Sequence, residues 1–172
     1  MKLRLRNNMA VWQYNIFLIP LINFKENYLE FLKQEDSEYL KDTECFWNNV
    51  FINKNDIELK IDKFISNYKS ANEHFIYWKG NTSNFEDNDC SITFDDKNNI
   101  NFFNFRFDLR SEINVIHSID FLIEIAQEYQ LKFMNVKYQF FEPEKNLFTE
   151  NIRQSNGFKF LEDPETFLEN LQ

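Results

Sequence analysis

The sequence predicts a single α+β domain, mainly an antiparallel sheet packed with helices on one side. Three observations predict it. Apolar and polar residues alternate through a strand-rich middle. Apolar residues recur at helical spacing towards both ends. The 172 residues include only two glycines and three prolines, with no linker-like run of Gly, Pro or Ser. Apolar residues make up 43% of the chain and 21 of them are Phe. Burying one such ring contributes roughly 1.5–3 kcal/mol, so the core is built mainly from aromatics. The domain is expected over 9–172, with residues 1–8 as a loose tail and Met9 as an alternative start.

Trp12, Tyr14 and Ile16 alternate with Gln13 and Asn15, which predicts a strand over 11–19 ending at Pro20. Asn23 with Glu26 fits a capping-box variant, followed by Phe24, Tyr28, Phe31 and Leu32 at helical spacing. Phe46, Trp47 and Phe51 are apolar without a periodicity that assigns them. Asn55 with Glu58 opens a second helix over 56–68, with Ile57, Ile61, Phe64, Ile65 and Tyr68 on its apolar face. Phe75 to Lys79 is a second strand. Cys90 to Phe94 and Ile100 to Leu109 form a hairpin over 95–99.

The second arm of that hairpin carries two apolar parities. Ile100 and Phe102 share one, and Phe103, Phe105, Phe107 and Leu109 share the other. A β-bulge near Phe102–Phe103 would bring both sets to one face; the rival is a strand buried on both faces at its start. Ser111 is the expected N-cap of a long helix with Val115, Ile119, Leu122, Ala126 and Tyr129 on one stripe, widened by Ile116 and Ile123. Phe133 to Phe140 is a further strand, and Leu147, Phe148 and Ile152 mark a short helix. Asp163-Pro164 starts a last helix that presents Phe167, Leu168 and Leu171.

The net charge of −9 argues against nucleic acid and against an anionic membrane surface as partners. It allows a cationic protein partner through long-range attraction, although simple solubility explains it equally. No apolar run approaches the ~18 residues of a membrane span, and no cleavable leader is evident, so a cytoplasmic protein is expected. Cys45 and Cys90, without CxxC spacing, fit two buried thiols in that compartment.

No catalytic residues are predicted. His74 and His117 stand at positions where histidine is more often structural. GxSxG and HExxH are absent, and two isolated glycines make no phosphate-cradling loop. Glu86, Asp87, Asp89, Asp95 and Asp96 form an acidic segment read in three ways: a solvated loop, a docking surface for a basic partner, or a carboxylate site for Ca²⁺ or Mg²⁺. It lacks EF-hand spacing, and no metal or other cofactor is assigned. Arg106, Asp108 and Arg110 sit at i, i+2 and i+4 of one strand, so their side chains share a face. They are expected to form a structural polar ladder, or else a polar anchor at an interface. Trp12, Trp47, Trp78 and Tyr77 are candidates for an aromatic binding face as well as for the core.

The order of landmarks resembles a bacterial immunity protein family of polymorphic toxin and contact-dependent growth inhibition systems. The pieces are WQYNIFLIP, then FWNN, then YWKGN followed by FEDND, then RFDLR before the long helix, and SNGFKFLEDPETFLENL at the end. The resemblance covers most of the chain from Met9. It implies a cytoplasmic protein that binds the C-terminal domain of a cognate toxin, often a nuclease, and blocks it without catalysis. It assigns no contact residues. The choice of Glu86, Asp87, Asp89, Asp95 and Asp96 as partner-facing rests on charge. Two rivals stay open: a metal-assisted enzyme using Asp87 and Asp89, and an adaptor that binds a protein other than a toxin.

Overall fold

The structure, a computed structural model, describes residues 11–34 and 41–169. The expected tail over 1–8, the alternative start at Met9 and the Leu171 position of the last helix lie outside the described residues. The strands among these residues are β1 (Gln13–Pro20), β2 (Tyr68–Ala71), β3 (Phe75–Asn81), β4 (Glu86–Phe94), β5 (Ile100–Asp108), β6 (Leu131–Asn135) and β7 (Phe140–Phe141). They make one seven-stranded sheet in the order β2-β3-β4-β5-β1-β6-β7, with every neighbouring pair antiparallel. The helices are α1 (Phe24–Lys33), α2 (Lys54–Phe64), α3 (Glu112–Glu128), α4 (Lys145–Arg153), α5 (Asn156–Glu162) and α6 (Pro164–Glu169), with 3-10 turns at Glu44–Trp47 and Thr82–Asn84. The α+β class and the antiparallel sheet are as the sequence predicts. No described helix is long and apolar enough to cross a membrane.

The register assigns the faces, because directly paired residues point the same way. Tyr14 and Ile16 pair with Phe107 and Phe105, Cys90 pairs with Phe105, and Trp78 pairs with Cys90. This face carries the main helical layer. Phe64 of α2 stacks on Phe121 of α3 at 4.2 Å, and both rings meet Phe105. Phe148 of α4 closes the same layer against Tyr14, Phe107 and Phe133. On the opposite face, α1 and the 3-10 turn Glu44–Trp47 cover the β1–β6–β7 corner, where Phe24, Phe31 and Phe46 surround Phe140. The β3–β4–β5 part of that second face carries Phe75, Tyr77, Lys79, Ser91, Thr93, Asn104 and Arg106, all half-buried.

A bulge does bring Ile100 onto the face of the later aromatics, but it lies earlier than expected and leaves Phe102 on the other face. Thr93 pairs with Phe102 and Phe94 with Ile100, so the extra residue is Asn101. Ile100 thereby joins Phe103, Phe105 and Phe107 on the helical face, each at most 1% exposed. Phe102 stays on the other face, with its ring 5.9 Å from Phe17. The start of β5 therefore has apolar side chains on both faces, which is the substance of the rival reading.

Other elements depart from expectation for local reasons. The strand expected over 133–140 is a hairpin. Asn135 Oδ1 accepts from the backbone N–H of Lys137 and Gln139, and Tyr138 takes φ 59°, so the chain turns before β7. The helix expected over 56–68 stops at Phe64, and Tyr68 begins the edge strand β2 instead. Its N-cap is Asn53, whose side chain accepts from the Asn55 N–H. Asn23 precedes α1 but caps nothing; its amide donates to Phe46 O and Asn48 O. Ser111 and Asp163 cap α3 and α6 as predicted. Helix α5, capped by Ser155, has too few apolar positions to stand out in the sequence.

Gly80 sits where the β3–β4 register shifts, and a Cβ there would lie 2.1 Å from Glu86 O. The two backbones can approach only without a side chain. Gly80→Ala is expected to destabilise the fold by about 1–3 kcal/mol, measured by urea unfolding. An unchanged midpoint would show that the strands can separate there freely.

Candidate functional site

Three adjacent strands and the turn Thr82–Asn84 assemble a charged cluster at one end of the sheet. Asp89 lies opposite Arg106 in the β4–β5 pairing and opposite Lys79 in β3–β4. Period-two geometry thus puts all three side chains on the open face. Arg106 Nε donates to Asp89 Oδ1 at 2.6 Å, and Lys79 Nζ donates to Asp89 Oδ2 at 3.1 Å. Lys79 also pairs with Asp87, whose carboxylate accepts from Thr82 Oγ1 at 3.0 Å. Gln13 of β1 donates from Nε2 to Asp87 O at 2.5 Å.

Asp108 is fully buried and holds the next layer. Its carboxylate accepts from Arg110 Nε and Nη2, from the Arg110 N–H at 3.0 Å and from the Asp87 N–H at 3.2 Å. Burial pushes its carboxyl up, but the Arg110 and Asp87 hydrogen bonds outweigh that and hold its pKa below the ordinary value. Arg110 reaches on to Thr82 O and lies between the rings of Trp12 and Phe85, at 4.5 and 4.8 Å. Behind it, Asn88 and Asn114 exchange amide hydrogen bonds, and Asn114 donates to Asp108 O. This ties the start of α3 to β4 and β5.

The expected Arg106-Asp108-Arg110 ladder is therefore divided. Arg106 turns to Asp89, Arg110 to Asp108, and Arg110 lies beyond the end of β5. The acidic segment is not one surface. It is strand β4 and its following turn, and Asp87 and Asp89 are only 5% and 2% exposed. Glu86 is exposed at the start of β4, and Asp96 is exposed in the β4–β5 turn. Asp95 braces that turn by accepting from the Asn99 side-chain amide and from the N–H groups of Asn99 and Lys97, and these bonds, the side-chain one foremost, lower its pKa.

The carboxylates of Asp87 and Asp89 face an ammonium and a guanidinium, where a divalent ion would need to sit. Among the described residues no group of three His, Cys, Asp or Glu side chains could hold a metal. Neither thiol is poised as a thiolate. Burial pushes Cys90 well up, and burial with the nearby charges of Asp42 and Glu30 raises Cys45 to about 11. Trp47 and Trp78 are core residues, whereas Trp12 lies under Arg110 and Tyr77 stands half-buried on the open face.

On the helical side of the same corner lies an open groove of about 740 Å³. Asn67, Asn81, Asn84, Glu86 and His117 are among its lining residues, and Glu86 is the only formally charged one. Lys79, Gln13, Thr82, Asn88 and Asn114 were not singled out from the sequence. Lys79 had a signal, since it shares parity with Tyr77; seeing its partner requires the β3–β4 register.

Asp108 makes the clearest pH prediction. Its folded pKa is depressed, so its contribution is complete above the ordinary value of 3.8 and fades as pH falls through the lower folded value. Asp108→Asn should lower stability by about 3 kcal/mol at neutral pH, because it leaves Arg110 without its counter-ion. It should also flatten the acid limb of a urea-stability profile taken below pH 4. An unchanged acid limb would mean that another carboxylate governs it.

No protein-family model, curated protein or solved structure matches the chain.

Proposed function

We propose that the chain is a non-catalytic, immunity-type protein that binds and neutralises a cognate toxin domain in the cytoplasm. The observation that carries this reading is where the charge lies. Asp87, Asp89 and Asp108 are matched by Lys79, Arg106 and Arg110 inside the fold. The excess of nine negative charges therefore belongs to the rest of the molecule, where it can attract a basic partner. The sequence landmarks support the same reading, from WQYNIFLIP in β1 to RFDLR before α3.

The docking face that fits is the open part of the sheet, with Tyr68, Phe75 and Tyr77 beside Lys79 and Arg106. Tyrosine and arginine are enriched at protein interfaces. Glu86 and Asp96 mark the two ends of β4 and supply exposed charge.

The test is co-expression with the product of the gene immediately upstream. A stoichiometric complex and rescue from growth arrest are expected, and absence of both would sink the reading. Within such a complex, the double reversal Glu86→Lys with Asp96→Lys should slow association roughly tenfold at low salt and much less at high salt. Stopped-flow rates that do not respond to the reversal would remove these two carboxylates from the approach surface.

A further inference from the structure

We infer that the free edge of β2 receives an extended basic strand of the protein partner, whose main chain pairs with Lys69 and Ala71. This rests on the protein-binding reading above. Among the described residues strand β2 ends the sheet, and all four of its residues are exposed. The Asn72 N–H donates to Phe75 O at 2.8 Å, so that pair is hydrogen-bonded. Antiparallel pairs alternate between bonded and non-bonded. Ser70 and Tyr68 therefore bond to Tyr77 and Lys79, while Lys69 and Ala71, opposite Trp78 and Ile76, direct their N–H and C=O groups outward.

Edge strands are usually blunted by proline, a bulge or a projecting lysine. In β2 there is no proline, and its register with β3 is unbroken over four pairs. Its one lysine is drawn away. Lys69 Nζ sits 2.5 Å from Glu58 and 2.9 Å from Asp62, and 5.5 Å from the Trp78 ring. The opposite edge differs: β7 has two residues, and Phe140 lies among the rings of α1.

Charge selects the occupant. Glu58 and Asp62 flank Lys69, and His74 in the β2–β3 turn lies 4.0 Å from both Glu73 and Asp96. These four carboxylates outnumber Lys69 and His74, the cationic partners they meet, which suits Lys or Arg on the incoming strand and opposes a second copy of this acidic chain. Tyr68 and Ser70 share the face of Lys79 and Tyr77, so an added strand would extend the open face.

The probe is a short acetylated and amidated peptide that alternates Lys with Val, added to the intact protein. Amide exchange at Lys69 and Ala71, followed by NMR, should slow at least tenfold on saturation. Ala71→Pro removes an outward donor without touching a β3 hydrogen bond, and should weaken peptide binding at least tenfold. The same peptide N-methylated at alternate residues should lose binding to the wild-type protein, which keeps the test decisive even where Ala71→Pro unfolds. Absent binding, unprotected Lys69 and Ala71 amides, or equal binding of the N-methylated peptide would overturn the inference. A concentration-dependent dimer abolished by Ala71→Pro would also overturn it, by assigning the edge to a second copy. A toxin domain that binds wild type and a folded Ala71→Pro equally would overturn the edge inference while leaving the immunity reading intact. A toxin domain that binds neither would sink the immunity reading, and the peptide result would still judge the edge.

Discussion

The register of β5 is the constraint on which the rest of the structure depends. A slip of one residue in a strand exchanges its two faces completely. In β5 the extra residue Asn101 absorbs the mismatch between Ile100 and the later aromatics. Ile100, Phe103, Phe105 and Phe107 then all lie beneath the helices. The same choice sends Asn104, Arg106 and Asp108 to the opposite face. Core and polar cluster are therefore not separate designs, because burying the one set positions the other.

The cluster in turn makes that register costly to change. Arg106 meets Asp89 only if β4 and β5 align as they do, and Lys79 meets Asp89 only if β3 aligns with β4. Ion pairs with little solvent contact add little net stability over an apolar replacement, because desolvation offsets the attraction. Breaking one partner is another matter, at about 3–5 kcal/mol. A misregistered sheet would part the buried Asp89 from Lys79 and Arg106 and take the Asp87 N–H away from Asp108. The cluster thus penalises the wrong pairings more than it stabilises the right one.

This explains what was legible in the sequence. Elements with a strong period were visible: β1, β5 and α3 each carry enough alternating or stepped apolar residues to declare themselves. The bulge was visible too, since Ile100 and Phe103 differ in parity, though its position depends on pairing with Thr93 and Phe94. Strand β2 was hidden because Tyr68 continues the helical spacing of Ile61 and Ile65, and only the extended backbone at Ile65 ends the helix. The polar site was half legible. The spacing of Arg106, Asp108 and Arg110 marked them as one polar group; that they separate towards Asp89 and Asp108 did not show in it. Asp87 and Asp89 looked like loop carboxylates because two acids in a strand are rare without cations opposite. Those cations come from β3 and β5, and no local pattern announces them.

The same geometry weighs on function. A general acid or base needs a carboxyl whose pKa is moved towards neutrality and which faces substrate. Asp108 is moved the other way, and its oxygens are already filled by Arg110 and the Asp87 N–H. The thiols are shifted away from the thiolate that nucleophilic chemistry requires. The surface available beside the cluster includes the outward edge of β2, the exposed Tyr68, and the half-buried Phe75 and Tyr77. The ion pairs of Asp89 with Lys79 and Arg106 tie β3, β4 and β5 together beside that surface. In the proposed binding role, strands held in register before the partner arrives reduce the ordering cost of association.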